Sequence, residues 1–247
     1  MFTLSTPAEK RPYHHRDLRQ ALIRSALEIL SEAGVAGLSL RAAARRAGAS
    51  AMAPYRHFAD KEALLAAVAE YGFRELAARL TAACATAADP RAGLAALGVA
   101  YVLFARDQPS LFKLMFGPTI AEKSEHPALD EAGSACFNTL RQAVEAVKFF
   151  DSAADADDVS LACWSLVHCL SALLVDGRFA EHYLGPAAAV ATRLTRLLSD
   201  SLAALGDKKP SGVGSTVRKR SRCVDRRGGE PATLEPPEAS TAERAVC

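Results

Sequence analysis

The stretch 38–65, LSLRAAARRAGASAMAPYRHFADKEALL, constrains this chain more than any other part of it. Ser39 is placed to cap a short helix over residues 41–47, and Gly48 can take the left-handed conformation that stops it. Ser50 is placed to cap a second helix carrying Met52, Tyr55, Arg56 and His57. Asp60 then opens a third, much longer one. Two short helices joined by a brief glycine-containing turn are the form of a helix-turn-helix that enters a DNA groove. The basic and aromatic residues fall where a duplex would need them.

The rest of the chain supports a helical frame around this segment. Leu18, Leu22, Ala26, Ile29 and Leu30 recur at helical spacing and predict a first helix over 16–33, ended by Gly34. Leu64, Leu65, Val68, Phe73, Leu76 and Leu80 line the long third helix. Asp89-Pro90 opens another, with Leu94, Leu97, Tyr101 and Phe104 on one side. A short, very apolar helix over 111–116 lies between Gln108-Pro109 and Gly117-Pro118, breakers that would let it move as a unit and link body to head; a fixed part of the core is the equal alternative. Further helices are predicted over 128–149, over 157–179 after an acidic turn, and over 186–205. No segment reads as a strand, so the fold class is all-α: a three-helix helix-turn-helix domain followed by a helical bundle.

Charge divides the chain in the same way. The balance is +5 over residues 1–61, −6 over 62–205 and +3 over 206–247. A basic module joined to an acidic one fits a nucleic-acid-binding head on a body that does not bind it. The expected domains are therefore 1–61 for the N-terminal arm and DNA-binding head, 62–205 for the body, and 206–247 for a tail. The tail is rich in Gly, Pro, Ser and charge, too poor in apolar residues to fold, and is expected to be disordered. Its run Arg218-Lys219-Arg220-Ser221-Arg222 suits either a nucleic-acid contact or a solvated segment. No apolar run approaches the ~20 residues of a membrane span, and the N-terminus lacks a signal-peptide core. A cytoplasmic protein with no membrane partner is expected, and its six cysteines default to free thiols.

The run Tyr55-Arg56-His57-Phe58-Ala59-Asp60-Lys61-Glu62 resembles the end of the DNA-binding region of the TetR/AcrR family. That resemblance places Arg41, Ala51, Met52 and Ala53 where bases are contacted. It places Ser39, Ser50, Tyr55, His57 and Lys61 where phosphates are gripped. Arg41 alone among the base-facing four can bond guanine bidentately, so specificity rests on Arg41, Arg56 or DNA shape. Phe58 reads as core, while Tyr55 can pack its ring and bond a phosphate at once. A second run, Cys163-Trp164-Ser165-Leu166-Val167-His168-Cys169, resembles the TetR-like C-terminal class marked by Trp-x-x-x-His-Gly. Trp164 and His168 are four apart and share a helix face. The sequence departs from the family at Ala43 and Ala49, where larger aliphatics are usual. It departs again at Pro54 inside the second helix, and at Cys169, where the signature has glycine.

The resemblance implies a homodimer joined through the last two body helices, with double-stranded operator DNA as one partner and an unidentified small-molecule effector as another. The function it implies is a repressor released by that effector; the alternative is a constitutive or architectural DNA-binding protein without one. Candidate effector-pocket residues are Tyr101, Phe104, Phe112, Met115, Phe137, Trp164 and His168. No cofactor or metal is expected: Cys163 and Cys169 fall on nearly opposite sides of one helix, whereas zinc needs converging ligands. There is no nucleophile elbow, glycine-rich phosphate loop or His-Glu-x-x-His helix, so no enzyme is expected.

Overall fold

A computed structural model describes residues 15–120, 125–148, 153–178 and 185–206. All of them lie in the first of two compact units, 1–209 and 210–247. The described residues form helices and turns, with no strand among them. The expected tail, apart from Gly206, falls outside the described residues.

The head is built from α1 (His15–Gly37), α2 (Leu40–Arg46) and a 3-10 helix (Ala53–Arg56). Gly34 interrupts α1 at φ 64°, close to the stop its sequence predicts. Ser39 caps α2, its Oγ accepting from Ala42 N–H at 3.1 Å. Gly48, at φ 69°, makes the turn that follows. The expected second helix is shortened to a single 3-10 turn, because Pro54 has no N–H to continue an α-helical ladder. Ala53 N–H closes instead on the Ser50 backbone carbonyl at 3.0 Å, so Ser50 does not cap a helix. Leu22, Ala26, Leu30, Leu38, Leu40, Ala43 and Ala44 meet Phe58 and Leu64 in the head's core. With no volume to spare at Ala43 and Ala44, both fully buried, the small side chains permit close helix packing.

The helix α3 (Lys61–Ala85) starts at Asp60, whose Oδ1 accepts from Ala63 N–H at 2.8 Å. It runs out of the head and into the body, where it packs against α4 (Pro90–Asp107), α5 (Pro109–Phe116) and α6 (Pro127–Val147). Next come α7 (Ala153–Val175) and α8 (Ala187–Gly206), both packed on α4. Two close approaches fix the layers. Gly98 of α4 lies where an added Cβ would meet Thr195 Cγ2 of α8 at 2.5 Å. Gly72 of α3 lies where one would meet Met115 Sδ of α5 at 2.6 Å. The helix α6 ends earlier than its sequence predicts, at Lys148 with φ 55°, and α7 ends at Val175 before Gly177. The segment 156–175 is long and apolar enough to cross a membrane by length and composition, against the sequence expectation, though Ala156, Val159, Ser160, Cys163, Val167, Leu170 and Ser171 are buried in the bundle.

Candidate nucleic-acid interface and ligand cavity

The residues expected to read DNA form a mostly exposed strip across α2, the turn and the 3-10 helix. Ser39, Arg41, Ser50, Ala51, Met52, Tyr55 and Arg56 are all exposed, Met52 by 69%. With Tyr55, exposed by 43%, it puts apolar surface on the same strip as the arginines. Arg41, Arg45 and Arg56 make no ion pair with any described residue, so their charge is available. Arg46 is different. Its guanidinium donates to both Glu32 carboxylate oxygens, at 2.7 and 2.6 Å, and ties α2 to α1. That bidentate bond holds the Glu32 carboxyl below its usual range.

Three of the expected contacts sit deeper. Ala53 is half-buried, and His57 is half-buried with its Nε2 enclosed and unpartnered. The His57 ring lines a cleft of about 240 Å³ shared with Arg19, Glu70 and His126, between head and body. Lys61 is half-buried, and its Nζ donates to the Val35 carbonyl at 2.8 Å, at the end of α1. An ammonium has three donors, so this bond leaves two for another acceptor.

In the body, a cavity of about 470 Å³ opens between α3, α4, α6 and α7, with the end of α5 on its wall. Exposed Asp130, Ser134 and Asn138 stand at its rim, spaced four apart along α6. Phe73, Phe116, Phe137, Trp164 and Tyr101 line it with aromatic surface. At the inner wall Trp164 Nε1–H donates to Tyr101 Oη at 3.2 Å, and Tyr101 Oη bonds His168 Nδ1 at 2.9 Å. Burial raises the Tyr101 phenol far above its usual range and lowers the His168 imidazole, so both are neutral near pH 7.

Of the seven expected pocket residues, Tyr101, Phe137 and Trp164 line this cavity. His168 stands behind Tyr101 rather than on the wall. Phe104, Phe112 and Met115 are buried in the core and do not line this cavity. Phe104 faces Arg79, whose Cζ lies 5.4 Å from the ring centre, and Met115 is pressed against Gly72. Phe73 and Phe116 were missed. Both lie at helical spacing among other apolar residues, and nothing local separates wall from core. Cys169 is exposed, so the residue in place of the usual glycine faces away from the helix contacts that glycine would ease. Cys163 is buried, and its thiol is pushed up to about 11.

An exposed basic helix-turn-helix joined by one continuous helix to an all-helical body with a ligand-sized cavity is the layout of a helical transcriptional regulator. Comparison with known proteins narrows this. Residues 22–68 match the model for bacterial regulatory proteins of the tetR family, and residues 94–198 match the tetracyclin repressor-like C-terminal domain. The tetracycline repressor protein class C of Escherichia coli is 50% identical over 52 residues, which is 21% of this chain and 24% of that repressor. The chain thus matches only about a quarter of that relative. A solved structure from Rhodococcus sp. RHA1, of a protein with unknown function, is 35% identical with a TM-score of 0.65, covering 78% of this chain and 100% of that one. A tetR-family bacterial regulatory protein from Rhodococcus RHA1 has the same fold: 21% identity, TM-score 0.56, 75% of this chain and 96% of its own. The chain belongs to the TetR family of transcriptional regulators.

Proposed function

We propose that this protein is a repressor that binds double-stranded operator DNA as a homodimer and leaves it when a small molecule fills the body cavity. The observation that carries the reading is the pairing of two surfaces: an exposed strip with unpaired Arg41 and Arg56, and an aromatic cavity reached by the same helix, α3. In this reading Arg41 contacts a base, with Ala51, Met52 and Ala53 offering apolar contact to thymine methyl groups. Ser39, Ser50, Tyr55, His57 and Lys61 hold phosphates. Ser39 can do so while capping α2, since its Oγ accepts from the helix and leaves the O–H free to donate.

The helix contacts support a switch of this kind. A ligand against Phe73 and Phe116 touches α3 and α5, and both pack on α1 of the head. A ligand favouring one arrangement of these helices would change the separation of two paired heads and so lower operator affinity. The outer faces of α7 and α8 supply the dimer contact, where Leu161, Leu173 and Leu197 are exposed. The test is to select genomic fragments retained by the full chain and measure their affinity for it and for Arg41→Ala. Specific binding that survives unchanged in Arg41→Ala would remove the assigned reading face. Binding that no small molecule relieves would favour the constitutive alternative.

A further inference from the structure

The cavity wall has a definite charge character. Among the described residues that line it there is no Lys, Arg or His, and Asp130 is the one carboxylate, standing exposed at the rim. The Cys136 thiol on the wall is pushed up to about 12 by burial and stays neutral. An anionic ligand would therefore bring a charge against aromatic and aliphatic surface with no cation among the described lining residues to meet it, which is costly. A cationic one would meet the Asp130 carboxylate at the mouth, in water, where attraction is weak.

The inner wall adds a specific polar group. A phenol has one O–H donor and two acceptor lone pairs. Trp164 Nε1–H uses one lone pair of Tyr101 Oη, and His168 Nδ1 uses one further position. If Nδ1 accepts the phenolic proton, a lone pair is left; if Nδ1–H donates, the O–H is left. In either tautomer one hydrogen-bonding position of Tyr101 remains unused by this trio. The side chain is only 4% exposed and lines the cavity, so an occupant is placed to take that position.

We propose that the cavity selects an uncharged, largely apolar molecule bearing one ketone or hydroxyl oxygen, which Tyr101 bonds while the aromatic walls enclose the rest. This rests on the reading of the cavity as the effector site. Its size suits a small drug-sized ligand. Tyr101 is amphoteric through the His168 tautomer, so it accepts from an alcohol or donates to a ketone without any charge change.

Trp164 is the only tryptophan in the chain and stands on the cavity wall, so its emission reads occupancy without DNA. The full chain would be titrated with five compounds sharing one skeleton: 4-tert-butylcyclohexanone, the corresponding alcohol, carboxylate and ammonium, and tert-butylcyclohexane. The ketone and alcohol should change Trp164 emission saturably and bind at least about tenfold more tightly than the carboxylate or ammonium. In Tyr101→Phe their affinity should fall about three- to tenfold while the hydrocarbon's is unchanged, which separates a lost hydrogen bond from a disturbed cavity. Carboxylate or ammonium binding as tight as the ketone's overturns the proposal. So do equal losses for ketone and hydrocarbon, or no emission response to any of the five. Occupancy that leaves DNA binding intact would remove the switch reading and keep this one, whereas DNA release with no preference for uncharged ligands would do the reverse.

Discussion

At the scale of residues, Arg41 and Lys61 should separate two kinds of DNA contact. Arg41→Ala should relax preference at one operator position, at a cost of ~1–3 kcal/mol, measured by affinity for single-base variants. Lys61 holds the Val35 carbonyl, so Lys61→Met should lower the melting temperature as well as weaken binding to all sequences alike. The slope of log affinity against log salt should also fall by about one unit if its remaining donors grip a phosphate. An unchanged slope would assign Lys61 to the head's stability alone. His168 gives a pH signature. Burial lowers its folded pKa, while the unfolded chain titrates near the ordinary value of about 6.5. Below that value the unfolded state takes up a proton that the folded state declines, so stability is full at neutral pH and falls as pH drops toward the folded pKa. His168→Gln should flatten that part of the melting-temperature curve; a curve of the same shape would mean that His168 does not contribute. Part of this site was legible beforehand, because Trp164 and His168 sit four apart on one helix. Their link to Tyr101 was not, since that residue is 63 and 67 positions away on another helix.

At the scale of elements, the sequence marked most helix starts, because a capping side chain is a local signal that tertiary packing rarely overrides. Ser39, Asp60 and Asp89 all cap as expected, each accepting from the N–H three residues on. Where a backbone constraint overrode periodicity, the expectation failed: Pro54 limits the second helix of the motif to one 3-10 turn. For α5 the sequence left open whether it moves or is fixed. Its Leu111, Phe112, Leu114 and Met115 are buried, and Lys113 pairs with Asp176 at 3.0 Å beyond the end of α7. It packs on α1, α3 and α4, so it links head and body through contacts that periodicity alone does not reveal. Gly72 is the sensitive point. A methyl there meets Met115 Sδ at 2.6 Å and Leu111 Cδ1 at 3.1 Å. Gly72→Ala should cost about 1–3 kcal/mol by urea denaturation as α5 is pushed outward. Met115→Ala alone should cost about 2–5 kcal/mol. Combined, the two should cost less than their sum, because the new methyl occupies part of the space that the methionine leaves. Strict additivity would mean that the two side chains do not compete for one site.

At the scale of the whole molecule, the composition of α7 needs a reason. Its segment 156–175 is apolar enough to cross a membrane, yet it lies in a helical bundle with one side buried against the body and another exposed. One side is accounted for by Ala156, Val159, Cys163, Val167 and Leu170, all buried against the body. The other carries Leu161, exposed by 51%, and Leu173, by 40%, while Leu197 on neighbouring α8 is exposed by 64%. Apolar side chains on two adjacent helices are what a four-helix contact between two copies would bury, and a two-fold pairing uses the same patch twice. Because Leu161 and Leu197 are each more than half exposed, charging them should spare the fold. Leu161→Asp combined with Leu197→Asp should give a monomer by analytical ultracentrifugation, with helical content unchanged by circular dichroism. Operator affinity should fall well below that of the dimer, since a single head contacts one half-site and loses the contribution of its pair. A variant that remains dimeric would place the interface on another face. A monomer that still binds the full operator as tightly as the parent would show that one head is sufficient and that the cavity cannot act by changing the separation of two.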